Sequence, residues 1–154
     1  MKIAVISPIL APEQGDGTGA CRNSFRLRDC SKLCADFEFY YIEDGPKFIM
    51  NAYDDAFAVP ALLRQAKKAE AKGADAIVVN CSADTGLRAL REALSIPVIG
   101  PTEATMLFAV QLVDKFCVLT FDERINGRFE RIARLLGLSH NLDCVQSVEI
   151  PFDE

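Results

Sequence analysis

Apolar residues in this chain fall into short runs, and between the runs they recur every three or four positions, so strands and helices are predicted to alternate. Lys2 to Ser7 reads as a first strand ended by Pro8, followed by a Pro- and Gly-rich loop over residues 8 to 19. A helix is expected from about Ala20 to Leu33, with Leu27, Cys30 and Cys34 on one stripe. Phe37 to Ile42 is a second strand, closed by the turn Glu43-Asp44-Gly45-Pro46. A loop through Phe48, Met50 and Tyr53 leads to a long helix, about Asp55 to Lys72, which Gly73 terminates. Ala76 to Val79 is a buried strand that runs out at Asn80-Cys81. A polar turn then leads into a helix carrying Leu87, Leu90 and Leu94, with Asp84 as its expected N-cap and Gly86 allowing close backbone approach. That helix ends near Ser95-Ile96-Pro97, and Val98-Ile99 is a short fourth strand. Gly100-Pro101 opens a helix with Ala104, Leu107, Phe108 and Leu112 on its apolar face. Phe116 to Thr120 is strand five, Arg124 to Leu136 a helix stopped by Gly137, and Cys144 to Ile150 strand six.

This alternation implies an α/β fold with a parallel sheet and right-handed crossovers. The expectation is a doubly wound, flavodoxin-like lobe of strand order 2-1-3-4 over residues 1–100, then an incomplete second α/β lobe over residues 101–154. Strand six leads to Pro151-Phe152-Asp153-Glu154 with no helix to cover its last face, and such an exposed edge would favour a homo-oligomer. Half of the 154 residues are hydrophobic and a quarter charged, which suits a packed core and argues against disorder. The net charge of −5 argues against a nucleic-acid partner and against an anionic membrane surface. No apolar run approaches the roughly 20 residues of a membrane span. Six cysteines without a secretory signal suggest free thiols in a cytoplasmic setting.

The candidate chemistry centres on Cys81, between the carboxyl end of a central strand and the amino end of a helix, where ligands bind in open α/β sheets. Helix amides there would favour the reactive thiolate. The bland alternative is a small buried cysteine at a strand end. Ser7 and Thr120 lie at the carboxyl ends of strands one and five, and in the order 2-1-3-4 Ser7 meets Cys81 at the switch point; either hydroxyl could equally be a turn-former. Gly15-Asp-Gly17-Thr-Gly19-Ala20 fits a loose dinucleotide fingerprint with Glu43 or Asp44 downstream, but seven residues separate it from the strand, so a flexible loop is the better reading. Cys21, Cys30 and Cys34 contain no C-x-x-C pair, and the single histidine, His140, is remote, so neither a metal site nor a Cys-His scheme is expected.

Gly45-Pro46, Tyr53-Asp54-Asp55-Ala56, Gly73-Ala74-Asp75-Ala76, Cys81-Ser-Ala-Asp84-Thr-Gly86-Leu87, Pro97-Val98-Ile99-Gly100, Glu103-Ala104 and Phe116-Cys-Val-Leu-Thr120 occur in that order. Together they resemble the Asp/Glu/hydantoin racemase superfamily, and within it the hydantoin and allantoin racemases. The resemblance implies an enzyme without a cofactor that inverts a carbon next to a carbonyl by proton transfer between two cysteines. It makes Cys81 the first of these and Thr120 a substrate-cradling hydroxyl. Ser7, Asn80 and Ser82 complete the expected surroundings of a small-molecule substrate: an amino acid, a hydantoin or a related carboxylate or amide. Three departures stand out. Thr85 replaces the usual proline, Ser7-Pro8-Ile9 replaces Asn-Pro-Asn, and the chain stops before the segment expected to carry the second cysteine. Cys117 and Cys144, near the starts of their strands, should face the wrong end of the sheet. Impaired catalysis is therefore expected, and a silent module binding a small anion or a partner, or a nucleotide-binding module using the Gly15–Ala20 loop, are the rivals.

Overall fold

A computed structural model describes residues 1–11 and 35–148. Its central strand, β1 (Lys2–Leu10), is buried from Ala4 to Pro8, as an apolar run flanked by strands on both sides should be. β2 (Asp36–Ile42) and β3 (Ala76–Val79) pair with it in parallel, and β4 (Val98–Ile99) extends the sheet from β3, giving the order β2-β1-β3-β4 that the sequence implied. The parallel register sets Ile6 opposite Val79, so β3 ends level with Ile6 while β1 runs on past it. Pro8 does not end β1. The strand continues to Leu10 across a register slip, because a residue without an N–H interrupts a ladder without forcing the chain out of extended geometry.

The first helix among the described residues, α1 (Ala52–Ala71), starts three residues before the expected Asp55, because the Asn51 side chain accepts the Tyr53 and Asp54 amides at 2.9 and 3.0 Å. Ala58, Ala61, Ala66 and Ala69 bury a face of small residues around Leu62, which lets α1 lie close to Ile6, Ile77 and Val79. After β3 comes α2 (Leu87–Ala93), whose Leu87 and Leu90 join the same core.

The remaining elements build a separate two-stranded parallel sheet: α3 (Pro101–Ala109), β5 (Phe116–Thr120), a 3₁₀ turn at Glu123–Ile125, α4 (Asn126–Leu135) and β6 (Leu142–Ser147). The helix expected from Arg124 thus opens with a 3₁₀ turn, held by the Asp122 side chain on the Arg124 amide at 2.8 Å. β6 begins at Leu142, two residues before the expected Cys144, and Val148 lies beyond its end. Met106, Ile125, Phe129 and Ala133 form a second, smaller core with Phe116, Val118 and Val145 around it. Arg91 ties the end of α2 to the start of α3 through a two-pronged bond to Glu103 at 3.0 and 2.9 Å, and its Nε donates to the Val98 carbonyl. Among the described residues no helix is long and apolar enough to cross a membrane.

The expectation of free thiols fails for two cysteines. Register places Cys117 directly opposite Cys144, with Cα atoms 4.8 Å apart, and the two form a disulfide. Both lie near the starts of their strands, as expected, and the disulfide closes 27 residues of chain. On the chain-entropy argument it should contribute about 3 kcal/mol. Urea unfolding of the oxidised protein should therefore shift to lower midpoint on adding dithiothreitol or in C117S, and C117S should no longer respond to the reductant. Superimposable curves for all of these would show that the clasp contributes nothing.

Candidate active site

β3 delivers its last residues to a pair of tight turns. The Asn80 amide still donates to the Ile6 carbonyl at 2.8 Å, the Cys81 amide turns back to Val79 at 2.9 Å, and the Asp84 amide closes on the Cys81 carbonyl at 3.0 Å. Cys81 is half-buried. Thr85, fully buried, donates its hydroxyl to the Cys81 Sγ at 3.5 Å, and the Ala83 N–H also points to the sulfur. The expected lowering of the thiol pKa does not occur. Burial pushes the Cys81 thiol up; the Thr85 hydroxyl, the Ala83 N–H and the Arg128 charge oppose this, the Asp55 carboxylate adds to it, and burial prevails. The physical reason lies in α2, which is only seven residues long and starts at Leu87, so its amides do not converge on the sulfur.

Asp84 is not the N-cap of α2. That position falls to Gly86, at φ 64°, where an added Cβ would lie 3.1 Å from Val59 Cγ2 and 3.3 Å from Leu62 Cδ2. The Asp84 carboxylate reaches instead to the next helix, accepting the Thr102 amide at 3.0 Å and the Glu103 amide at 2.7 Å. Gly100 makes this approach possible, since a Cβ there would sit 2.6 Å from Asp84 Cγ. Burial raises the Asp84 carboxyl above its ordinary range while these two amides pull it back down.

Ser7 does not end β1, which runs on to Leu10, but it is buried just past the level where β3 stops. It accepts a hydrogen bond from Asn80 Nδ2 at 2.9 Å, which brings it to the residue preceding Cys81. Ser82 is exposed, and its carbonyl accepts the Thr102 hydroxyl at 2.6 Å. Thr120 stands at the carboxyl end of β5 but bonds inside the second sheet's own surroundings, to Asn126 Oδ1 and the Asp122 and Gln146 carbonyls. His140 is exposed in a turn. The Gly15–Ala20 loop, the helix expected from Ala20, and Cys21, Cys30 and Cys34 lie outside the described residues.

The sequence model of Asp/Glu/hydantoin racemases matches residues 25–153. The chain belongs to that racemase family. It is 35% identical over 138 residues to the hydantoin racemase of Pseudomonas sp. (strain NS671), covering 90% of this chain and 53% of that protein. It is 32% identical over 108 residues to the hydantoin racemase of Rhizobium meliloti, covering 70% of this chain and 45% of the relative. The chain thus spans about half the length of these curated relatives. Its fold matches that of the allantoin racemase from Klebsiella pneumoniae with a TM-score of 0.81 at 23% identity, over 97% of this chain and 59% of that one.

In this racemase-family chain three side chains near the sulfur escaped the sequence reading. Thr85, noted above only as a replacement of proline, donates to Cys81 a hydrogen bond that a proline could not make. Asp55 of α1 and Arg128 of α4 meet, Nη1 to Oδ1 at 3.4 Å, and both charges act on Cys81. A groove of about 480 Å³ opens beside the turn, lined by Asp55, Asp84, Gly86, Leu87, Arg88, Ala89 and Glu92; Cys81 is next to this lining rather than part of it.

Two outcomes are expected. D84A should lose about 1 kcal/mol, the usual effect of deleting a cap, with D84N milder because one acceptor remains; G100A should be destabilised comparably by collision with the same carboxylate. Chemical denaturation measures all three, and a D84A midpoint equal to the parent would remove Asp84 from this role. A raised thiol pKa means less thiolate at a given pH, so at pH 8 iodoacetamide should modify Cys81 more slowly in the folded chain than in urea. T85V should slow it further, roughly fivefold for one lost bond of about 1 kcal/mol, and an unchanged rate would deny Thr85 its effect on the sulfur.

Proposed function

We propose that Cys81 is one of the two acid/base groups of a cofactor-independent racemase acting on a carbon next to a carbonyl, with a hydantoin as the substrate class. The observation that carries the reading is a half-open thiol at the end of a central parallel strand, with two donors, Thr85 and Ala83, aimed at its sulfur. Such donors strengthen as charge develops on sulfur, so the site can hold the thiol at rest and ease its conversion to thiolate. A proton leaving the substrate carbon moves to that thiolate, and the electron pair left behind delocalises onto the neighbouring carbonyl oxygen. The reverse step returns a proton from the thiol. Ser7 and Asn80, bonded to each other beside Cys81, are proposed to fix the carbonyl or amide of the substrate, with Ser82 at the rim and Thr120 closing from the second sheet.

Inversion also needs a proton donor on the opposite face. Among the described residues Cys81 is the only free cysteine, and Cys117 and Cys144 are bonded to each other. We therefore expect this chain alone to bind without appreciable turnover. A 5-monosubstituted hydantoin should slow iodoacetamide modification of Cys81 in a saturable way, and its optical rotation should decay no faster than in buffer. Full modification at saturating hydantoin would overturn the binding reading. Rapid loss of rotation that vanishes in C81A would instead show that this chain supplies both protons.

A further inference from the structure

Arg128 projects from the first turn of α4 and is nearly buried, its side chain 8% exposed. A guanidinium carries five N–H donors, and burying it without partners is costly. Its hydrogen-bonding partner among the described residues is Asp55, through one Nη1–Oδ1 contact of 3.4 Å. That is well beyond the 2.7–2.9 Å of a strong charge-assisted bond. No described side-chain nitrogen or oxygen is sealed from water without a partner, so the remaining donors of Arg128 face an opening rather than the core. Arg128 itself is not in the groove lining, but its partner Asp55, in the first turn of α1, is, together with Asp84 and Gly86 of the cysteine turn.

The other charges of this groove are occupied. Asp84 is bonded to two amides of α3, and Arg88 and Glu92 pair at 3.1 Å on the exposed face of α2. We propose that Arg128 is the anion-binding residue of the site, holding a carboxylate of the substrate with the donors that Asp55 leaves unused. This rests on the Cys81 reading and narrows its substrate to hydantoins whose side chain bears a carboxylate. The planar fork of arginine suits that group, and Asp55 keeps the fork oriented while the site is empty.

Two alkylating reagents of similar size, one anionic and one neutral, test this at Cys81. Both attack the same thiolate, so any change in thiol ionisation cancels in the ratio of their rates. Anionic iodoacetate should gain on neutral iodoacetamide in the parent chain, and R128Q should lower that ratio roughly tenfold, the scale of one charged contact. R128K should retain part of it, and D55N, which removes the competing carboxylate, should raise it. Hydantoin-5-acetate should protect Cys81 at roughly tenfold lower concentration than 5-isopropylhydantoin in the parent, whereas in R128Q the two should protect at the same concentration. A ratio left within about twofold by R128Q, R128K and D55N, with hydantoins still protecting, would overturn the role of Arg128 alone. Absence of protection by either hydantoin would overturn the parent reading. Should R128Q not fold, R128K and D55N, each retaining a cation at position 128, decide the matter.

Discussion

The Asp84 carboxylate reaches from the cysteine turn to the first amides of α3, and the rest of the arrangement around Cys81 depends on that reach. A half-buried carboxylate is stable there only because amide donors replace part of the water it loses. Two conditions follow for the backbone. Asp84 itself adopts a left-handed conformation, φ 50°, and Gly100 must lack a side chain for the helix start to come near enough. Once both are met, the turn from Asn80 to Gly86 is pinned at one end by β3 and at the other by α3. Thr85 is then buried beside the sulfur, and the second sheet follows on from α3, with Arg128 reaching Asp55 at the start of α1. Arg91 reinforces the junction from the other end of α2.

The strand order was legible because β3 is apolar throughout and β1 is so from Ile3 to Ile6, as suits central parallel strands, and because the strand-helix alternation admits few topologies. The placement of Cys81 and Ser7 near each other was legible for the same reason, since parallel pairing of β1 with β3 brings their carboxyl halves together. The capping role of Asp84 was misjudged because two helix starts, one local and one across a short strand, were open to the same carboxylate, and sequence spacing favours only the local one. The Cys117–Cys144 pair was misjudged by weighing cellular context over register; two strands paired in parallel set the sulfurs opposite each other. Thr85 and Arg128 left no pattern to read. A hydroxyl four residues past a cysteine points to it only when the intervening turn has this shape, and Arg128 is far along the chain on an otherwise polar helix face.

The electrostatics of Cys81 bear on what such a site asks of its thiol. A thiolate fixed permanently by a strong helix field would be a poor acid, and racemisation needs each group to take a proton in one direction and give one in the other. Burial raises the thiol here, while Thr85, Ala83 and Arg128 act in the opposite sense, so ionisation depends on small changes in surrounding charge. Asp55 opposes Arg128 at the sulfur. An anion that draws Arg128 to itself weakens the influence of the guanidinium on Cys81, whereas negative charge forming on the substrate carbonyl disfavours a second charge on sulfur. In the reaction proposed above, both effects would favour the protonated thiol once a substrate proton had been taken, the state from which Cys81 would return it.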